Sequence, residues 1–241
     1  MRGAFVTGTG TEVGKTVVAA AIARTAAAPR RRVAVFKPAV SGLDDCASSP
    51  VPPDHELLRL AAGSTQRPDE IAPYRYGPPV SPHLAAKLAG EEISPERLVA
   101  AATAAAGDAD VLISEGVGGL LVPLRQDYLV RDFAVDLGLP LVIAAPPGLG
   151  TINHTLLTIE AARAVGLEAA AVVLTPWPGE PSLVEESNRE TVARLGGVEV
   201  EALAPLDLSD PASWPELDPT GLCTSVPASG RLKRTKSGLA G

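Results

Sequence analysis

Short apolar runs alternate along the chain with alanine-rich stretches of helical length. The runs are continuous rather than alternating with polar residues, which is typical of strands buried on both faces of a parallel sheet. They lie at residues 4–6, 33–36, 111–113, 141–144 and 171–174. The helical stretches lie at residues 15–28, 94–106, 153–165 and 182–195. This alternation predicts an α/β fold with a doubly wound, mostly parallel sheet flanked by helices.

Proline-rich stretches and a polar tail interrupt this pattern. Residues 48–53 and 74–82 each contain several prolines, and we predict that both are loops. Residues 227–241 combine basic and small side chains with few apolar ones, which predicts a disordered tail. The remaining residues, 1–226, are predicted to form a single domain.

Composition narrows the possible classes of protein. A hydrophobic fraction of 46 % is enough for a sizeable core and excludes a wholly disordered chain. The net charge of −7 argues against a nucleic-acid-binding protein. Cys46 and Cys223 form neither a disulfide framework nor a metal-binding CxxC pair. Because the chain also shows no signal peptide and no apolar run of membrane-spanning length, we expect a cytoplasmic protein without a membrane partner.

The first apolar run leads into a glycine-rich loop, Thr-Gly-Thr-Gly-Thr-Glu-Val-Gly-Lys-Thr, at residues 7–16. Such a loop, ending in Lys-Thr at the start of a helix, is typical of P-loop nucleoside triphosphatases. Its backbone N–H groups surround phosphate oxygens, Lys15 reaches the β- and γ-phosphates, and the Thr16 hydroxyl binds Mg²⁺. Thr9 stands where the standard GxxxxGK[ST] pattern has its first glycine, so an ordinary strand-to-helix turn is the alternative interpretation.

Charged or polar residues that could take part in a reaction follow two more of the predicted strands. The run at 33–36 is followed by Lys37 and, a few residues later, by Ser41, whereas the run at 111–113 is followed by Glu115 and several glycines. The carboxyl ends of strands in a doubly wound sheet face the ligand crevice. We therefore expect Lys37, Ser41 and Glu115 to lie beside the phosphate loop, with Glu115 as a second Mg²⁺ ligand.

With these segments the sequence resembles the dethiobiotin synthetase family. The matching segments are residues 7–16, 37–42, Asp54, 81–90, 115–124 and 150–158. The resemblance implies an ATP-dependent ligase that carboxylates 7,8-diaminononanoate (diaminopelargonate) with CO₂ and closes the cyclic urea of dethiobiotin. One amine forms a carbamate, ATP converts the carbamate to a carbamic–phosphoric anhydride, and the second amine closes the ring. The resemblance also implies Mg²⁺ and a homodimer with the substrate pocket at its interface.

The resemblance assigns roles residue by residue. Lys15 and Lys37 are implied as the catalytic cations, and Thr16, Asp54 and Glu115 as the Mg²⁺ ligands. The nucleotide-binding set is Glu12, Val13, Gly14, Lys15, Thr16, Val17, Asp54, Glu115, Gly116, Val117, Gly118, Thr175, Pro176 and Pro205. The substrate-binding set is Thr11, Ser41 and Asn153. Asn153 is also predicted as a helix N-cap, and a capping role alone is the alternative for that residue.

The sequence departs from the family pattern after the last apolar run. Thr175 and Pro176 stand where many members have an asparagine that reads the adenine ring. Threonine cannot make the paired amide contacts of asparagine, and proline has no N–H to donate. We therefore expect weaker selection for ATP over other nucleoside triphosphates. Trp177 is interpreted either as a stacking partner for the base or as part of a packed surface loop.

Two other functions share this loop. Cobyrinate-type amide synthases normally carry an added glutaminase domain, and this chain has neither room for one nor a glycine-rich setting around Cys223. Partitioning-type ATPases of the deviant Walker class use an additional lysine early in the loop, which is absent here. They also bind membrane or DNA, whereas the basic run of the tail, residues 231–234, lacks a helical face. Both remain as alternatives to the ligase.

Overall fold

Six parallel strands form the central sheet of the computed structural model, which describes residues 1–27, 31–46 and 51–221. The six strands are β1 (Gly3–Gly8), β2 (Val33–Phe36), β5 (Val111–Gly119), β8 (Leu141–Ala145), β9 (Ala169–Leu174) and β10 (Glu199–Ala202). Their order across the sheet is β10-β9-β8-β1-β5-β2. Two small two-stranded sheets pair β3 (Ala39–Val40) with β4 (Tyr74–Arg75) and β6 (Pro123–Arg125) with β7 (Tyr128–Leu129).

Helices cover both faces of the sheet. They are α1 (Lys15–Ala26), α2 (Leu43–Cys46), α3 (Asp54–Ala62), α4 (Pro68–Ile71), α5 (Pro82–Leu88), α6 (Pro95–Ala106), α7 (Val130–Leu137), α8 (Thr151–Arg163) and α9 (Leu183–Gly196). A 3₁₀ turn follows at Pro211–Ser213. One face packs around Phe5, Phe36 and Phe133. The other packs on the alanines of α1, whose small side chains allow the helix to lie close to the sheet.

The predicted sheet, its five strands and its four helices are confirmed, with ends that differ by at most two residues except in β5. That strand continues to Gly119, so Glu115 lies within it rather than after it. The sixth strand, β10, was not predicted. Its sequence Glu-Val-Glu-Ala lies at the sheet edge and buries mainly Val200, so it lacks a continuous apolar run. The predicted loop at 74–82 is wrong at both ends, where β4 and α5 take part of it. The tail at 227–241 and residues 48–50 of the loop predicted at 48–53 lie outside the described residues, whereas residues 51–53 form neither helix nor strand, as predicted.

The chain after β10 packs back against α1. Trp214 and Leu217 are buried in the core on the α1 side of the sheet. The Trp214 indole N–H donates to the Asp207 carbonyl at 2.6 Å, and the backbone N–H of Leu217 donates to the Thr25 hydroxyl at 2.9 Å. This segment therefore covers the helix that begins at the phosphate loop, although it contains almost no regular structure.

Replacing Trp214 by alanine is expected to lower the free energy of unfolding by about 3–5 kcal/mol, because a large, 8 % exposed side chain is lost beside α1. Urea denaturation followed by circular dichroism measures the change. The Trp214→Phe variant keeps most of the apolar contact and loses the indole hydrogen bond. Loss of that bond should lower the free energy of unfolding by about 1 kcal/mol, in addition to the effect of the smaller side chain. A loss below about 1 kcal/mol for the alanine variant would show that the segment does not stabilise the domain.

Candidate active site

A cavity of about 710 Å³ opens at the carboxyl ends of β1, β2 and β5. It brings together twelve of the residues predicted from the sequence: Thr11, Glu12, Gly14, Lys15, Thr16, Val17, Lys37, Ser41, Asp54, Glu115, Val117 and Gly118. Six others do not line it: Val13, Gly116, Asn153, Thr175, Pro176 and Pro205. The cavity is also lined by Pro79, Val80 and Val122, which were not predicted as site residues. Val122 lies in the segment 115–124 that carries the family resemblance, whereas Pro79 and Val80 lie just before the segment 81–90 and had no such signal.

The phosphate loop connects β1 to α1 through two left-handed backbone positions. Glu12 has φ 59° and is the non-glycine residue with positive φ in the described ranges. Gly14 has φ 86° and is the N-cap of α1, which begins at Lys15. Left-handed residues in a short loop turn successive N–H groups toward one point and create an anion-binding concavity. The missing first glycine at Thr9 therefore does not prevent the loop from adopting a phosphate-binding form.

Gly14 also lies against the end of β9. A Cβ atom at this position would stand 2.5 Å from Cγ2 of Thr175, which is closer than carbon atoms can approach. Thr175 is buried, and its backbone N–H donates to the Ala145 carbonyl at 2.9 Å. The phosphate loop is thus fitted against a strand end that lies about 160 residues later in the chain.

Lys37 connects the two carboxylates of the site. Its Nζ lies 2.5 Å from Asp54 Oδ2 and 2.7 Å from Glu115 Oε1, and its side chain is only 4 % exposed. The Thr16 hydroxyl donates to the same Glu115 oxygen at 2.8 Å. Lys15 is directed elsewhere, because its Nζ donates to the Gly10 carbonyl at 2.7 Å.

Three elements position this group. The backbone N–H of Lys37 donates to the Ile71 carbonyl at 2.8 Å, just beyond the edge strand β2. The Gln66 amide pairs with both backbone groups of Val35 on the open side of that strand. Asp54 is the first residue of α3, whose Leu57 and Leu58 are buried beside α1. The amphipathic α3 therefore brings Asp54 to Lys37, which the sequence spacing alone did not show.

Burial and charge act in opposite directions on the ionisable groups. Burial alone would lower the pKa of Lys37, but the nearby Glu115 and Asp54 outweigh it and raise that pKa. Burial would raise the pKa of Asp54, yet the Lys37 charge prevails and lowers it. For Glu115, burial prevails over Lys37 and raises the pKa. Burial also lowers the pKa of Lys15. The negative charge of Glu115 is therefore only partly compensated by Lys37.

The donor set fits a hard divalent cation. Thr16, Asp54 and Glu115 supply oxygen ligands, and Glu115 Oε2 is buried with no hydrogen-bond partner among the described residues. Mg²⁺ is usually held by one or two carboxylates, and the nucleotide phosphates and water complete its shell. No group of three or more His, Cys, Asp or Glu side chains suited to a metal occurs within residues 1–27, 31–46 and 51–221. The site is thus suited to a cation that arrives with phosphate rather than to one held by protein alone.

The predicted N-cap at Asn153 is wrong. Helix α8 begins at Thr151, and its N-cap is Gly150 with φ 95°. Glycine adopts this left-handed conformation without strain, so the helix starts earlier than the polar pattern indicated. Asn153 lies within the first turn with an exposed side chain, away from the 710 Å³ cavity.

The end of β9 offers few donors for a base. Pro176 and Pro178 have no N–H, and the Trp177 N–H is already bonded to the Leu203 carbonyl at 2.8 Å. The Thr175–Pro176 peptide bond is cis. The Arg189 guanidinium lies over the Trp177 ring, 5.7 Å from its centre. Pro205 is exposed shortly after Leu203, so the two loops predicted to flank the base lie side by side.

A second, more apolar cavity of about 450 Å³ adjoins the phosphate loop and was not predicted as a cavity. It shares Thr11 with the first cavity and is lined on its other sides by Leu121, His154, Leu157 and Thr158, among others. Leu121 and Leu157 are both more than half exposed. These two leucines give the cavity an exposed apolar rim beside the polar site, and exposed apolar patches are a feature of many interaction surfaces.

Comparisons with known proteins give matches over most of the chain. A family model described as an AAA domain matches residues 2–211. The chain is 43 % identical over 205 residues to an ATP-dependent dethiobiotin synthetase from Anaeromyxobacter dehalogenans, covering 85 % of this chain and 90 % of that protein. It is 37 % identical over 207 residues to one from Bacillus subtilis, covering 85 % and 87 % respectively.

A solved structure of a ParA family ATPase from Chlorobium tepidum is similar in fold. It superimposes with a TM-score of 0.55 at 12 % identity, covering 87 % of this chain and 88 % of the other. At this identity the likeness shows the shared P-loop fold and nothing about function. In the part of the chain that the structure describes, no helix is both long and apolar enough to cross a membrane.

Proposed function

The chain belongs to the dethiobiotin synthetase family, and we propose that the 710 Å³ cavity is where it carries out this family's reaction. The chain is an ATP-dependent ligase that carboxylates 7,8-diaminononanoate and forms the C–N bonds of a cyclic urea. The observation that carries the assignment of the site is the convergence of Lys15, Lys37, Asp54 and Glu115 on one cavity beside the phosphate loop. The partitioning ATPase and the amide synthase are not favoured. A cytoplasmic location is part of the proposal, because the reaction consumes ATP.

The chemistry explains why the site holds two lysines. One substrate amine adds to CO₂ and loses a proton, which gives an anionic carbamate. The carbamate oxygen then attacks the γ-phosphorus of ATP, ADP departs, and a carbamic–phosphoric anhydride remains. The second amine attacks the carbamoyl carbon and expels phosphate, which closes the ring. The phosphoryl transfer brings two anions together, so fixed positive charge on the reacting groups stabilises its transition state.

Each charged residue has a separate task in this proposal. Lys15 binds the β- and γ-phosphates after leaving the Gly10 carbonyl, and Lys37 neutralises the carbamate and the transferred phosphoryl group. Thr16, Asp54 and Glu115 would hold Mg²⁺. When bound, Mg²⁺ supplies charge neutralisation for the phosphate oxygens. No side chain is needed as nucleophile, since both attacking nitrogens belong to the substrate.

The substrate is proposed to bind beside Thr11 and Ser41, which line the cavity next to Lys37. Asn153 is retained as a substrate contact only through a second copy of the chain, because its exposed side chain is away from the cavity of its own subunit. Thr11 also lines the second cavity, so substrate at Thr11 would extend toward that apolar surface. These features support a homodimer whose interface completes the substrate pocket.

The decisive test of the activity is direct detection of product. Purified protein is incubated with Mg²⁺, ATP, bicarbonate and 7,8-diaminononanoate, and dethiobiotin is identified by mass spectrometry. Stoichiometric formation of ADP, phosphate and dethiobiotin is the expected result. Hydrolysis of ATP without any dethiobiotin would contradict the ligase and favour a nucleotide-dependent switch.

Replacing Leu157 by aspartate is expected to convert the dimer to monomers, because it places a charge in the apolar surface around the second cavity. Size-exclusion chromatography with light scattering gives the mass. Leu195→Asp is the matched control, since Leu195 is equally exposed but does not line the second cavity. A native monomer, or a Leu157→Asp dimer, would contradict this interface.

The enzyme is expected to use CTP and GTP with kcat/KM values within about tenfold of that for ATP, since one missing pair of base contacts is worth about 1–3 kcal/mol. The reason is that Thr175, Pro176 and Trp177 present no unpaired backbone N–H and no amide side chain at the end of β9. Parallel turnover assays with the three nucleotides measure the preference. The Thr175→Asn variant should shift it toward ATP, whereas a steep ATP preference of the native enzyme would show that other groups read the base.

A further inference from the structure

The Lys37 ammonium occupies the position between the two carboxylates proposed as metal ligands. It contacts Asp54 Oδ2 at 2.5 Å and Glu115 Oε1 at 2.7 Å, and the Thr16 hydroxyl is bonded to that same Glu115 oxygen. One cation therefore already holds the oxygens that a divalent cation would use. Lys15, the other lysine of the cavity, is bonded to a backbone carbonyl instead.

In the nucleotide-free protein, the positive charge of Lys37 compensates the negative charge of the buried Glu115 carboxylate. Glu115 is fully buried, and an ionised carboxylate without a partner is strongly unfavourable in such a position. Lys37 supplies that partner, but with one charge against two carboxylates. Glu115 Oε2 remains without a hydrogen bond, so the compensation is incomplete. A divalent cation would neutralise both carboxylates, provided that Lys37 had another anion to bind.

We propose that Lys37 is a built-in counter-cation that occupies the divalent-cation position until nucleotide binds, and that Lys37 then moves to the γ-phosphate and carbamate. The inference rests on the proposed function, because it requires the metal ligands named above. Lys37 thereby has two roles. Without nucleotide it compensates the charge of Asp54 and Glu115, and it becomes available for catalysis only when the nucleotide and its cation are bound.

The structure allows this movement without a change of backbone. The main chain of Lys37 is fixed by its hydrogen bond to Ile71, and the four-carbon side chain lines the 710 Å³ cavity that contains the phosphate loop. The ammonium can therefore move by rotation of its own side chain. It is also expected to move only in exchange for another anion, so a divalent cation alone should bind the nucleotide-free protein poorly.

Binding of Mn²⁺ to nucleotide-free protein tests the exchange directly, because electron paramagnetic resonance measures unbound Mn²⁺. Lys37→Met removes the ammonium and keeps the length of the side chain. We expect this variant to bind Mn²⁺ without nucleotide at least about tenfold more tightly than the native protein. Lys15→Met is the matched control, because it removes the same charge from the same cavity but no carboxylate contact. It should change the affinity by less than about threefold.

The outcomes separate the exchange from the proposed function. Equal Mn²⁺ affinities of native and Lys37→Met protein, together with tight binding to both in the presence of a non-hydrolysable ATP analogue, would overturn the exchange and leave the metal site intact. Failure of the native protein to bind Mn²⁺ even with the analogue would overturn the metal site and the exchange with it. The double variant Lys37→Met/Glu115→Gln removes one of the two carboxylates. If it loses the tighter Mn²⁺ binding of Lys37→Met, that binding is due to Asp54 and Glu115. If the tighter binding persists, the proposal is overturned.

A measurement on native protein follows the Lys37 ammonium itself and does not rely on the metal affinity of a variant. The ¹⁵N-detected side-chain ammonium signal of Lys37 is expected to be visible in nucleotide-free protein, because two carboxylates protect it from exchange with water. The signal, assigned by its absence from Lys37→Arg, should persist in Mg²⁺ alone and shift or disappear with Mg²⁺ and the ATP analogue. An unchanged signal with the analogue would overturn the proposal, as would its loss in Mg²⁺ alone.

Discussion

Replacing Lys37 by glutamine is expected to lower kcat for dethiobiotin formation by about 10²–10³-fold, because the substitution removes a fixed charge from the phosphoryl-transfer transition state. Glutamine retains hydrogen-bonding capacity, so the loss reports charge rather than shape. The KM for ATP should change much less, since Lys15 and the phosphate loop remain. Steady-state kinetics with product detection by mass spectrometry separate the two constants.

The control for this experiment is Lys87→Gln. Lys87 lies on α5 with an exposed side chain and makes no contact with the cavity, so its loss should leave kcat within about twofold. Thermal unfolding of both variants shows whether the fold is retained, because Glu115 in Lys37→Gln has lost its partner. A folded Lys37→Gln variant with nearly native kcat would remove Lys37 from the catalytic group.

The Gly14→Ala variant is expected to lose about 10²-fold in kcat/KM for ATP, the cost of displacing a positioning loop by roughly 1 Å. Two independent effects act at this position. Alanine is strained at φ 86°, by about 1–2 kcal/mol, and its Cβ would stand 2.5 Å from Thr175 Cγ2. The loop must therefore move away from β9, and its N–H groups no longer converge on the phosphates.

Two further variants separate these effects. Gly10→Ala is the matched control in the same loop, because its φ is not positive and its Cβ would meet only Val13 Cγ1 at 3.8 Å. It should remain within about threefold of native kcat/KM. The Gly14→Ala/Thr175→Ser double variant removes the clashing methyl group and should recover part of the loss. If Gly14→Ala is as active as Gly10→Ala, the close fit between the phosphate loop and β9 is not functionally important.

Sequence reasoning located the site residues best where a strand of the central sheet carries them to the site. Lys37 directly follows β2, and Glu115 lies within the neighbouring strand β5, one residue beyond the pair Phe36–Ser114, so the parallel arrangement brings the two side chains together. Asp54 has no such rule. It reaches Lys37 because α3 packs beside α1 and β2, and that packing depends on contacts among several elements. Its role was therefore available only through the family resemblance.

Local sequence patterns also failed to predict the start of α8, because that helix end is set by backbone conformation. Asn153 has the side chain of an N-cap, but Gly150 takes that position because glycine accepts a left-handed φ. The edge strand β10 lacked the continuous apolar run of a central strand. The segment that carries Trp214 has no periodicity, since it is held by individual contacts to α1 rather than by repeating structure.

The amino-acid pattern is enough to predict the alternation of strands and helices, the phosphate loop, and the strand segments that bring Lys37 and Glu115 to the site. These features are encoded locally, because burial imposes a residue pattern on each strand and phosphate binding imposes one on the loop. Two contacts could be found only in the folded molecule: Lys37 lies between Asp54 and Glu115, and Gly14 lies against Thr175. Such contacts join distant parts of the chain, and their geometry follows from the close packing of whole elements rather than from any local pattern.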